Sequence, residues 1–124
     1  MQSAALAVVI NMWSNQLRRS SEQIREDMLK LTPIGTSMDD VLEVITNNQK
    51  WKIRYIREWV GFRMTGGRPS EGVPDSNNNV GVKSIRVYLG QYGIIFATGV
   101  SVFYGFDEDS KLIEIGVKKE TDSL

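Results

Sequence analysis

The sequence predicts an α+β domain in which a long N-terminal helix and one short helix pack on a four-stranded antiparallel meander sheet. Three observations carry this. Apolar residues recur at spacings of three, four or seven through residues 3–31, a second and shorter stripe follows a Pro/Gly break, and later runs alternate apolar with polar. The sharpest alternation is VSVFYGFDEDSKLIEIGVKK, residues 100–119, where two such runs flank an acidic turn, as in a hairpin. With residues 107–110 as the loop, Val100, Val102 and Tyr104 fall opposite Val117, Ile115 and Ile113. A slip of one residue would mix the two faces.

Composition sets the outer bounds. A chain of 124 residues suits one core, and a domain of this size buries roughly two thirds of its unfolded surface. Fifteen basic and fifteen acidic residues cancel, which gives no global attraction to nucleic acid or anionic lipid. There is no cysteine and no histidine. Disulfides, thiolate nucleophiles and cysteine zinc sites are thereby excluded within the chain, together with the commonest general base and transition-metal ligand. An enzyme built from this inventory would rely on carboxylate pairs such as Asp107 and Asp109 or Asp39 and Asp40, on lysine or tyrosine, or on a cofactor. The reading is of a non-enzymatic chain with no catalytic, cofactor or metal residue.

Residues 4–10, AALAVVI, are apolar but too few to cross a bilayer, which takes about 20 residues. Two readings stand. The segment is the remnant of a longer anchor, with a membrane contact at residues 4–13 and Arg18 and Arg19 just beyond it. Otherwise it belongs to an amphipathic helix whose stripe is Leu6, Ile10, Trp13, Leu17, Ile24, Met28 and Leu31. Either way, residues 1–31 are expected to form the helical N-terminal part and residues 32–124 the α+β interaction domain. A stripe with a period near 3.5 also suits pairing with a second copy, which makes Leu6, Ile10, Trp13 and Leu17 the candidate self-association residues of a homodimer.

Thr32, Pro33 and Gly35 end that helix, because proline cannot continue it. Thr36 or Ser37 then caps a second one, with Asp39 and Asp40 in its first turn. Met38, Val41, Leu42 and Ile45 form its inward face.

Residues 50–62, KWKIRYIREWVGF, read as the first strand, with the apolar parity changing near residues 55–57, the mark of a bulge. Six basic residues from Lys50 to Arg68 face Glu58 alone, whereas residues 21–43 are acidic. Basic residues interleaved with Trp51, Tyr55 and Trp59 can stack on a nucleic acid. Strand parity, however, turns the first aromatics toward the core, so no nucleic-acid partner is expected. Residues 64–83 are rich in Gly, Pro, Ser and Asn and read as a long surface loop. Asp75, Asn77 and Asn79 imitate the start of a calcium loop, but Val80 stands where its glycine belongs. Residues 84–89 are the second strand, and residues 94–96 a buried connection or the start of the third.

In the closing hairpin, Phe103 and Leu112 are apolar on the side expected to face away from the helices. They are the leading partner-binding candidates. Trp59, Arg63 and Arg68, from the basic segment that enters the loop, complete that set.

Leu31, Ile34-Gly35-Thr36-Ser37-Met38 and Asp40-Val41-Leu42 resemble the start of the helix in the SmpA/OmlA (BamE-like) family of small outer-membrane lipoproteins. That family shares a two-helix plus antiparallel-sheet layout with the β-lactamase inhibitory proteins. Phe106-Asp107 through Lys111-Leu112-Ile113 is similar to the family's last hairpin. Asn47-Asn48-Gln49 replaces its usual Gly-x-Pro, and there is no lipobox cysteine. The resemblance implies a non-catalytic module that binds another protein and is membrane-tethered or extracytoplasmic. The alternative is a cytoplasmic homodimer acting as an immunity or regulatory partner.

Overall fold

Capping residues decide where the helices begin. The computed structural model describes residues 16–121. Within it, Ser20 is an N-cap with φ −63° and ψ 157°: its hydroxyl accepts from the Gln23 N–H at 3.1 Å, and Gln23 Oε1 accepts from the Ser20 N–H at 3.1 Å. This reciprocal capping box starts helix α1 at Ser21–Leu31. The expected single helix over residues 3–31 is therefore corrected, since residues 17–20 are turn and extended chain that no helix crosses. Leu6, Ile10 and Trp13 lie outside the described residues. Helix α2, Met38–Thr46, is capped by Ser37, whose hydroxyl accepts from the Asp40 N–H at 3.1 Å.

Seven strands follow: β1 (Lys52–Arg57), β2 (Phe62–Thr65), β3 (Arg68–Glu71), β4 (Asn79–Val80), β5 (Lys83–Tyr92), β6 (Thr98–Phe106) and β7 (Leu112–Thr121). Four of them form an antiparallel sheet in the order β1-β5-β6-β7. The architecture is α+β, but not two helices on one four-stranded meander. The segment expected to be a loop builds a second, three-stranded sheet in the order β3-β2-β4, inserted between β1 and β5. The two sheets are antiparallel throughout.

Helices and main sheet close on one core. Ile24 and Met28 of α1, and Met38, Val41 and Ile45 of α2, are buried together with Ile85, Val87, Val102, Tyr104, Ile115 and Val117. Arg25 of α1 pairs with Glu114 and donates to the Ile115 carbonyl at 3.0 Å, fixing the helix along β7.

Val102, Tyr104, Ile115 and Val117 keep the inward face expected of them, but the register shifts by two residues, and Leu112 and Ile113 exchange the faces expected of them. Val102 lies opposite Val117 and Tyr104 opposite Ile115. A two-residue shift preserves side-chain parity. The turn gains its hold from Asp107, whose Oδ1 accepts from the N–H groups of Asp109 and Lys111, both at 2.9 Å. An irregularity between Gly105 and Phe106 then sets Leu112 opposite Phe106. Leu112 is consequently fully buried on the helix side, and Ile113 is exposed.

The second sheet begins with a tight hairpin. Gly66 (φ 58°) and Gly67 (φ 78°) connect Thr65 to its partner Arg68, the left-handed pair that a two-residue turn requires. This small sheet lies on the face of the main sheet opposite the helices. It fits there because β6 and β7 carry glycine beneath it: a Cβ on Gly105 would lie 2.9 Å from the Phe62 ring, and one on Gly116 would lie 2.7 Å from Pro69 Cβ. Phe103 is thus covered by Phe62 and fully buried, which overturns the expectation of an exposed aromatic there.

Candidate functional site

The small sheet covers only part of that face. Toward the other end of β5, β6 and β7, the sheet surface stays open and forms a groove of about 220 Å³ lined by Arg54, Arg86, Tyr88, Gly99, Ser101, Lys118 and Glu120.

Strand alternation places these side chains. In β5, Arg86 and Tyr88 point away from a core that takes Ile85, Val87 and Leu89. In β6, Ser101 alternates with the buried Val100 and Val102, and Gly99 leaves room that the Tyr88 ring uses: a Cβ there would lie 3.1 Å from Tyr88 Cε1. Arg54 arrives through a bulge. Between Ile53 and Tyr55 the register with β5 shifts, so Ile53 pairs with Val87 and Tyr55 with Arg86. The expected bulge thus falls just before Tyr55, and it turns Tyr55 away from the core face. Arg54 stacks over the Tyr88 ring, 4.6 Å from its centroid.

Three cations, Arg54, Arg86 and Lys118, face the single carboxylate of Glu120 across this surface. Arg86 stands where the groove meets the small sheet, 5.0 Å from the Phe103 centroid and 3.7 Å from Glu71. Lys118 pairs with Glu120 at 2.8 Å. The Lys118 ammonium, by hydrogen bond and by charge, holds the Glu120 carboxyl below its usual range, and Arg86 and Arg68 act in the same direction. Arg54 has no carboxylate partner among the described residues. The result is a shallow cationic surface with an aromatic wall and a floor of small residues. Chemically, it suits an anionic group on an extended ligand.

The sequence-derived candidates scatter around this surface. Phe103 and Leu112 are buried on opposite sides of the sheet and line no exposed face. Trp59, between β1 and β2, is 70% exposed and is not part of the groove lining. Arg63 is half-buried in β2, and Arg68 is exposed at the start of β3, where its charge reaches Glu120. Leu17 is buried in the core against Gly90, so it does not present itself to a second copy.

Among the acidic candidates, Asp107 spends a carboxylate oxygen on its own turn, and Asp39 and Asp40 are exposed in the first turn of α2. Asn79 spends its amide on the loop, donating to the Val73 carbonyl at 2.6 Å and accepting from the Val73 N–H at 3.2 Å. Among the described residues, no three histidine, cysteine or carboxylate side chains gather to hold a metal, and no helix is long and apolar enough to cross a membrane.

The groove residues come from strands far apart in sequence. What could have signalled them is the pattern Arg-x-Tyr in β5 together with Gly-x-Ser in β6, polar or small residues alternating with buried valine. Compared with protein-family models, curated proteins and solved structures, the chain matches none.

Proposed function

We propose that this chain is a non-catalytic protein-interaction domain that takes an acidic, extended segment of another protein into the groove. The observation that carries this is the cationic excess on an open, concave sheet surface: three cations and the Tyr88 ring surround a floor of Gly99 and Ser101, and with Glu120 held by Lys118 and Glu71 by Arg86, Arg54 is left without a carboxylate partner among the described residues. Tyr88 and Arg54 offer a stacked planar surface, and Arg54 and Arg86 carry forked donors suited to carboxylates. The SmpA/OmlA-like reading belongs to the same proposal. Its support is local: Ser37 caps the helix that follows Ile34-Gly35-Thr36, and Phe106 to Leu112 forms a hairpin.

The test is a titration of the whole chain with a labelled glutamate-rich peptide, and with a neutral peptide of equal length as control. Binding is expected for the acidic peptide, weakening as salt rises, and falling about tenfold in the double variant Arg54→Glu, Lys118→Glu with an unchanged melting temperature. Equal affinity of that variant, or equal binding of the neutral peptide, would overturn the proposal.

A further inference from the structure

The turn between β5 and β6 is Gly93-Ile94-Ile95-Phe96-Ala97. Instead of a buried connection, it is a projecting tip: Ile94 is 100% exposed, Ile95 76% and Phe96 50%. Its shape is held by Gly93, with φ 105°, where a Cβ would lie 2.2 Å from the Phe96 carbonyl oxygen. Three adjacent large apolar side chains in water are a cost that soluble surfaces usually avoid.

Beneath the tip, cations gather on an aromatic ring. Tyr92 closes the last strand pair with Thr98, and both Arg18 and Lys119 lie 5.0 Å from its ring centroid. Lys119 also donates to the Tyr92 hydroxyl at 3.1 Å and to the Arg19 carbonyl. The carboxylates close by are engaged elsewhere, Glu120 with Lys118 and Asp27 with Arg19, so Arg18 and Lys119 have no carboxylate partner among the described residues. Leu17 packs near this end of the sheet, where a Cβ on Gly90 would lie 3.3 Å from its Cδ1.

We infer that Ile94, Ile95 and Phe96 insert into the interfacial region of a lipid bilayer carrying anionic headgroups, while Arg18 and Lys119 meet the headgroup phosphates. An apolar tip above a cationic and tyrosine collar matches the layering of a bilayer, apolar inside and negatively charged at its surface. A second copy fits poorly, because a stable protein interface takes roughly 20–30 residues a side and the tip offers three. A bilayer requires no such shape match. The inserted tip would hold the acidic-segment groove close to the membrane.

The absence of cysteine allows a clean test. A single Ile95→Cys variant of the whole chain, labelled with an environment-sensitive fluorophore, is mixed with phosphatidylcholine vesicles with or without phosphatidylglycerol. A blue shift and a rise in emission are expected with phosphatidylglycerol. A label on Glu108→Cys, at the opposite end of β6, should not respond. Without a label, the pair Ile94→Ser, Ile95→Ser should lower vesicle partitioning about tenfold or more at an unchanged melting temperature. A water-like signal at position 95 would overturn the inference, whether the chain fails to bind or binds through residues 4–13. An equal response on neutral vesicles would overturn the role given to Arg18 and Lys119.

Discussion

The Phe62 ring lies against the Phe103 ring, centroids 5.9 Å apart and planes tilted by 40°, and this contact joins the small sheet to the main one. Both side chains are fully buried, yet Phe103 stands apart from the core that the helices share with the sheet. Phe103→Ala is expected to destabilise the chain by about 3–5 kcal/mol, and Phe62→Ala by a similar amount. In a double-mutant cycle followed by urea unfolding, the two should couple by about 1 kcal/mol. Additive losses would show that the rings are neighbours without being partners.

Gly116 tests the same layer from below. An added methyl group would lie 2.7 Å from Pro69 Cβ and 3.0 Å from Met64 Cε, with Pro69 itself buried in β3. Gly116→Ala is therefore expected to cost about 1–3 kcal/mol by pushing the small sheet away. Hydrogen exchange would locate the damage: faster exchange in β2 and β3, with β5 little changed. A variant as stable as the parent would mean that the small sheet is only loosely seated.

Which parts of this architecture were readable in advance follows from how each is held. The faces of the closing hairpin come from local alternation, so Val102, Tyr104, Ile115 and Val117 could be placed without knowing their neighbours. Helix α2 announced itself through Ser37 and its apolar spacing. Apolar periodicity runs across Ser20 and so hides the start of helix α1, although Ser20 and Gln23 spell a capping box. The small sheet had no alternation to show, since β3 is Arg-Pro-Ser-Glu. Only the Gly66-Gly67 pair marked it. Alternation alone assigns Phe103 to a face but cannot show that the face is covered: the missing side chains of Gly105 and Gly116 make room there for a second layer. The groove depends on strand pairing and on the bulge before Tyr55, neither of which any single segment encodes.

The helix boundary can be measured directly. Ser20→Ala removes the hydroxyl that accepts from the Gln23 N–H and disrupts its reciprocal bond. The expected loss is about 1 kcal/mol, seen as a lower urea midpoint, and Ser20→Asp should restore most of it. If α1 instead continued without interruption through residue 20, alanine there would be neutral or stabilising, because alanine is the best helix former.

Tyr104 supplies a pH dependence with a definite sign. Its side chain is fully buried, its hydroxyl has no hydrogen-bond partner among the described residues, and burial pushes the phenol well above its ordinary value of 10.0. In the unfolded chain the phenol loses its proton near that value, whereas the folded chain keeps it. Stability from this group is therefore complete below about pH 10 and is lost as pH rises further, by up to about 1.4 kcal/mol per pH unit. Burial also raises Tyr55, against the opposing charge of Arg57, which adds a smaller loss of the same sign. The substitution Tyr104→Phe removes both the titration and an unsatisfied buried hydroxyl. It is expected to be neutral or stabilising at pH 7 and to flatten the decline in urea midpoint between about pH 9.5 and 11. Parallel pH profiles for the parent and Tyr104→Phe would show that the alkaline transition begins elsewhere.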